Sequence, residues 1–139
     1  MRLDTLILAD SANEAGGKLN ILGAGITRLT PPVLPWSQVV TLIVRAILEP
    51  DDFELDHTVR VLLLDPHDSP LLPPFDMTFG PDDLRPIRER TVEGETTTAQ
   101  LLFVMQGARI NEAGTHQFVV EFDGHEVGRM PLPVVLSQG

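Results

Sequence analysis

The stretch "GTHQFVVEFDGHEVGRMPLPVVL", Gly114 to Leu136, decides the fold class. Two apolar-rich runs flank Asp123-Gly124, a pair suited to the positive φ angles of a tight two-residue hairpin turn. On the ascending run His116, Phe118, Val120 and Phe122 share one side, with Gln117, Val119, Glu121 and Asp123 on the other. Two phenylalanines mark the first side as the core side. The turn pairs Phe122 with His125, and the same register pairs Val120 with Val127. Strict alternation beyond Val127 would send Arg129, Pro131 and Pro133 inward and leave Met130, Leu132 and Val134 in water. One extra residue after Val127 reverses this and puts Met130, Leu132, Val134 and Leu136 inside. A β-bulge at or beside Gly128 is therefore expected, because glycine tolerates the backbone angles a bulge needs.

The rest of the chain has the same grammar: short apolar runs separated by Gly, Pro and Asp clusters. Leu3 to Ala9 leads through "SANEAGG" to a turn at Gly16-Gly17. "KLNILGAGITRL" carries Gly23 and Gly25 inside a strand-like run, which predicts a bulge or a close backbone approach. "TPPVLPW" cannot be a central strand, since prolines remove ladder donors. Gln38 to Glu49 is the longest strand candidate. Val40, Leu42, Val44, Ala46 and Leu48 lie on one face, and Val39, Thr41, Ile43, Arg45 and Ile47 on the other. Both faces are largely apolar, so this strand is central or has its outer face covered. "PDDFELD" is an acidic connection, and His57 to Asp65 is a further strand.

Residues 66–90 are punctuated by six prolines and form an irregular segment. Within it "FDMTF" predicts a short edge strand and "GPDDLRPI" a helical turn. Thr97 to Gln106 is the last strand before the closing hairpin. The string gives about eight strands and no helix of consequence. It predicts one all-β domain over residues 1–139, an antiparallel β-sandwich of immunoglobulin-like type. A jelly-roll or C2-like sandwich fits the same string, and the strand order stays open.

Charge and composition exclude several function classes. The net charge is −10, and the densest basic stretch (Arg85, Arg88 and Arg90) is diluted by Asp82, Asp83 and Glu89. Nucleic acids and anionic membranes are therefore not expected partners. No apolar run approaches the ~18 residues of a membrane-spanning helix. Asp4 and Asp10 bracket the first apolar run, which does not read as a secretory signal, and a cytoplasmic location is expected. With no cysteine, disulfides and thiolate chemistry are excluded.

Among motifs with a mechanism, the chain has no nucleophile elbow, zinc-protease helix, Walker loop or dinucleotide fingerprint. Neither a catalytic residue nor a cofactor is expected. The weak metal candidates are Asp51, Asp52, Asp65, His67 and Asp68, since calcium sites gather oxygens from acidic loops such as 49–56 and 65–68. A solvated charged face explains the same residues. The interaction candidates are Val39, Ile43, Ile47, Leu62, Leu64 and Trp36. The aliphatic set predicts exposed sheet surface suited to a homodimer or another protein, unless the 66–90 segment folds across it. Trp36, beside prolines, is an exposed anchor or a plug at one end of the sandwich.

With these strands placed, "LILAD" (6–10), "GGKLNILGAG" (16–25), the Pro- and Trp-containing connection and the closing hairpin resemble a family of small bacterial proteins catalogued as a domain of unknown function. The resemblance implies a compact β-sandwich and transfers no activity, cofactor or site residue. The expected function is a non-enzymatic interaction or structural module that self-associates. The alternatives are an ion- or small-ligand-binding module using the two acidic loops and, further off, a hydrolase with a scattered site.

Overall fold

In the computed structural model, which describes residues 1–137, ten strands and one helix form an antiparallel β-sandwich. One sheet has the order β2 (Lys18–Ala24), β1 (Arg2–Ala15), β4 (Val40–Leu48) and β7 (Thr97–Met105). The other has the order β10 (His125–Val134), β9 (Gly114–Phe122), β5 (His57–Leu64) and β6 (Phe75–Phe79). Two-residue strands β3 (Trp36–Ser37) and β8 (Arg109–Ile110) pair separately. Setting β2 aside, β1-β4-β7 facing β10-β9-β5-β6 follows the A-B-E and G-F-C arrangement of immunoglobulin-like domains. The core is the inward side of both sheets, with Leu42, Val44, Val59, Val61, Phe103, Met105, Phe118 and Val120 at its centre.

The hairpin confirms most of its reading. Phe122 pairs with His125, and the register shifts between Glu126 and Gly128. Asp123 (φ 50°) and Gly124 (φ 83°) make the turn, both in the left-handed region. The bulged residue is Val127 itself: Gly128, not Val127, stands opposite Val120. Met130, Leu132 and Val134 then follow the inward phase, while Arg129 points out to Glu126 and Gln117. Leu136, expected inside, is 43% exposed because it lies beyond the end of β10.

Residues 66–90 are more ordered than expected. "FDMTF" is the edge strand β6, and Leu71 N–H donates to Leu63 O, extending that edge. The expected helical turn is a ten-residue helix, α1 (Pro81–Arg90). Pro81 occupies the first helical turn, where a missing N–H costs nothing. Asp83 accepts the Gly80 N–H at 2.9 Å, and Arg88 and Arg90 suit the negative C-terminal end. Leu84 buries against Leu48, Phe53 and Ala99, and Arg88 pairs with Glu54 over the Phe53 ring. The helix thus closes one end of the sandwich between β6 and β7.

His116 is fully buried, and its Nδ1 donates to Gly114 O at 3.2 Å while Nε2 has no partner. An unsatisfied buried polar atom costs on the order of 1–3 kcal/mol. His116→Leu is therefore expected to raise the thermal midpoint; a lower midpoint would show that the imidazole packs better than leucine.

Candidate functional site

The outer face of the β2-β1-β4-β7 sheet contains Ile7, Ile43 and Leu102 in register across three strands, with Ala9, Thr41 and Val104 in the next row. Ile43 is 1% exposed and Thr41 2%, although both point away from the core. The β1–β2 hairpin is placed to cover them. Beyond Ala9 the β1–β2 hairpin leaves the sheet as an arm. Its tip reaches β7, where Gln100 Nε2 donates to Gly17 O at 3.5 Å and the Arg90 guanidinium lies 3.7 Å from the Gly17 Cβ position. Since β4 separates β1 from β7, the arm must cross the outward side of β4 to get there. At Gly23 (φ 65°) a Cβ would fall within 2.1 Å of the Asp10 carboxylate, so the close backbone approach read in "LGAG" lies at the base of this arm. Residues 66–90, the other candidate cover, form β6 and α1 instead.

The six interaction candidates do not form one surface. Ile43 and Ile47 lie on the outer face of one sheet, and Ile43 is buried. Leu62 and Leu64 lie half-buried on the outer face of the opposite sheet, and Leu64 bridges to Pro70. Period-2 alternation identifies outward residues but not which sheet carries them, so the grouping failed when β4 and β5 parted. Trp36 is half-buried, pairs with Ile110 and directs Nε1 to Gln38 Oε1 at 3.4 Å. Val39, one residue before β4, is 54% exposed.

The metal candidates are also separated. Loops 49–56 and 65–68 flank β5 at its two ends, roughly 25 Å apart for eight extended residues. Asp51 is exposed on a 3-10 turn (Pro50–Glu54). Asp65 accepts the His67 and Ser69 N–H groups, stabilising its own turn, in which Asp68 takes φ 64°. His67 is exposed and approaches Glu112 at 3.2 Å. Among the described residues no three His, Asp or Glu side chains converge as a metal site would require.

Asp52 belongs instead to a buried polar network. It accepts from the Glu49 N–H and the Met1 amino nitrogen, each at 2.7 Å. Its main-chain oxygen accepts from His57 Nε2 at 2.8 Å, and Asp123 Oδ2 lies 2.9 Å from His57 Nδ1. Both of these partners are acceptors, so both ring nitrogens donate and His57 is an imidazolium. Burial opposes that charge, but the bonds to Asp123 and Asp52 outweigh it and hold the His57 pKa above its usual value. Asp123 is likewise held low: burial would raise it, while His57 and the Thr58 N–H stabilise the carboxylate. Sequence reasoning missed this network because it joins residues 66 positions apart.

A cleft of about 630 Å³ opens where β6 and β7, the edge strands of opposite sheets, face each other. Thr97 to Leu101 of β7 form one wall and Met77 to Phe79 of β6 the other. Leu84 and Ile87 of α1 supply apolar lining; Glu14 of the arm, Asp83, Arg90 and Glu95 supply charge. None of the four histidines lines this cleft. Its one signal in the sequence was the uncharged run "TTTAQLLFVM", which read simply as a strand.

Among the described residues no helix is long and apolar enough to cross a membrane. Comparison with curated proteins finds no match. Two solved structures of β-glucosidase from Listeria innocua are similar to part of the fold. The complex with glucose has a TM-score of 0.43 at 14% identity, covering 78% of this chain and 15% of that one. The complex with isofagomine has a TM-score of 0.43 at 12% identity, covering 97% and 17%. The chain therefore spans less than a fifth of those enzymes, and a likeness this remote carries no activity to it. The family model described as "Family of unknown function (DUF6941)" matches residues 4–135, nearly the whole sandwich, and the chain belongs to that family.

Proposed function

We propose that this protein acts as a non-enzymatic interaction module that self-associates through the β4/β7 end of its arm-bearing sheet. The observation behind this reading is the pair Val39 and Val104, 54% and 45% exposed. Val104 pairs with Thr41, two residues along from Val39, so the two valines are diagonal neighbours on one side. Around them β4 and β7 carry a single charge, Arg45, with Asp4 beside it at 3.6 Å. On the opposite sheet Arg60, Asp76, Glu121, Glu126 and Arg129 occupy the outer face. Two copies of a chain with net charge −10 repel each other, so the sparsely charged face is the one on which they meet at least cost. The absence of chemistry in this proposal rests on His57, whose two nitrogens are both committed to fixed acceptors.

Light scattering coupled to size exclusion tests it. The protein is expected at twice its chain mass, and Val39→Asp/Val104→Asp at the chain mass with the thermal midpoint kept. A clean monomer for the unaltered protein would sink the reading.

A further inference from the structure

We propose that the β6–β7 cleft is a strand-addition site: it receives an extended peptide segment of another protein, apolar at alternate positions and flanked by basic residues. The free edge of β7 bonds the peptide backbone, and the apolar lining takes alternate side chains.

Three independent observations support it. The first is the edge itself. β7 pairs with β4 alone, and among the described residues no loop makes a backbone–backbone bond to its other side, the arm reaching it only through the Gln100 side chain and Gly17 O. Edge strands are usually protected by charge, proline, bulges or shortness. "TTAQLLFVM" has nine residues with no charge, proline or glycine. The other edges are managed. β10 carries Pro131 and Pro133 and is bridged by Leu29, and β6 has five residues including Asp76. β2 is seven residues long, opens on Lys18 and contains Gly23.

The second is the vacancy in the frame. In immunoglobulin constant-type sheets a fourth strand lies beyond the one equivalent to β7. Here the chain passes from β6 to β7 through α1 and a short loop, so that strand position is left unfilled.

The third is the chemistry beside that position. A peptide added to a strand edge gains affinity from main-chain bonds and specificity from pockets that take alternate side chains. Met77, Phe79, Leu84, Ile87 and Leu101 supply the apolar part of a mixed lining that also holds Thr78, Thr97 and Gln100. Around it Glu14, Asp83 and Glu95 outnumber Arg90, in a chain of net charge −10, so basic residues at the peptide's ends are complementary.

A labelled peptide, Lys-Val-Thr-Val-Thr-Val-Lys, tests the site by fluorescence anisotropy and hydrogen exchange on the full chain. Saturable binding is expected, with slowed exchange in Thr97–Met105 and none in β2 or β10. The same peptide N-methylated at alternate backbone nitrogens retains the side chains but not the edge bonds, and is expected to bind at least about tenfold more weakly. A glutamate-flanked version and the cleft variant Ile87→Glu are expected to weaken binding too. The proposal is overturned if no binding occurs at millimolar peptide, if N-methylation leaves affinity unchanged, or if protection falls outside β7. Because Ile87→Glu alters a half-buried residue, the N-methylated peptide decides the matter without any change to the protein. Oligomeric state is a separate readout, so this proposal and self-association can fail independently.

Discussion

Asp123→Ala is expected to destabilise the fold by about 3 kcal/mol in urea unfolding, far more than an exposed turn residue normally would. Three losses combine. The buried His57 loses a charge-assisted partner worth about 1.5–3 kcal/mol, tempered because Asp123 is partly exposed. The Thr58 N–H loses its acceptor at 2.9 Å. An alanine at φ 50° also keeps the strain of the left-handed region without the local bond that aspartate makes. Asp123→Asn tolerates the angle and can still accept from Thr58, so it should cost about half as much.

The same network sets a pH profile. His57 is held above 6.5, so the stability it contributes is complete below 6.5 and is lost as pH rises through its higher folded pKa. Asp52 and Asp123 have the opposite sign: burial opposes their charge, but Met1, Glu49, Thr58 and His57 hold both below 3.8. Their contributions are present above 3.8 and lost as pH falls through their lower folded values. Stability should therefore be greatest between these limits. In Asp123→Asn the alkaline decline should shrink. A protein that grows more stable from pH 6 to pH 9 would refute the imidazolium assignment.

Shortening the arm should have an effect of similar size. If Ser11 and Leu22, opposite each other in the β1–β2 ladder, are joined through Asn-Gly, the hairpin closes before it can cross β4. Ile43 then loses its cover, at about 1.5–3 kcal/mol for a fully buried isoleucine, with further loss at Ile7 and Leu102. The shortened protein is expected to bind a hydrophobic dye and to aggregate on heating well below the unaltered chain's midpoint. If it stays monodisperse with an unchanged midpoint, Ile43 is buried by its own sheet neighbours and the arm is an ornament.

Period-2 reading placed the β9–β10 turn, the inward set Phe118, Val120 and Phe122, and the bulge beside Gly128. Those features depend on neighbours a few residues apart, where backbone geometry leaves little freedom. The ten-residue α1 was legible only as a helical turn over "GPDDLRPI". It was underestimated because Pro86 reads as a helix breaker, whereas the burial of Leu84 against Phe53 holds the helix across it. The aliphatic candidates Ile43, Ile47, Leu62 and Leu64 point outward, but from two different sheets.

What the sequence determined by itself is therefore local: antiparallel β structure, turn positions, strand phase, and a net charge of −10. Tertiary structure alone decided that Ile43 and Leu62 lie on opposite faces, that the β1–β2 arm rather than residues 66–90 crosses the apolar sheet, and that Asp123 clasps His57. It also decided that β6 and β7 end as facing edges with a cleft between them. Alternation repeats every two residues and carries no record of which strand lies beside which. That choice is made by burial summed over the whole chain, and each of these sites exists only where residues distant in sequence come to share one edge or one face.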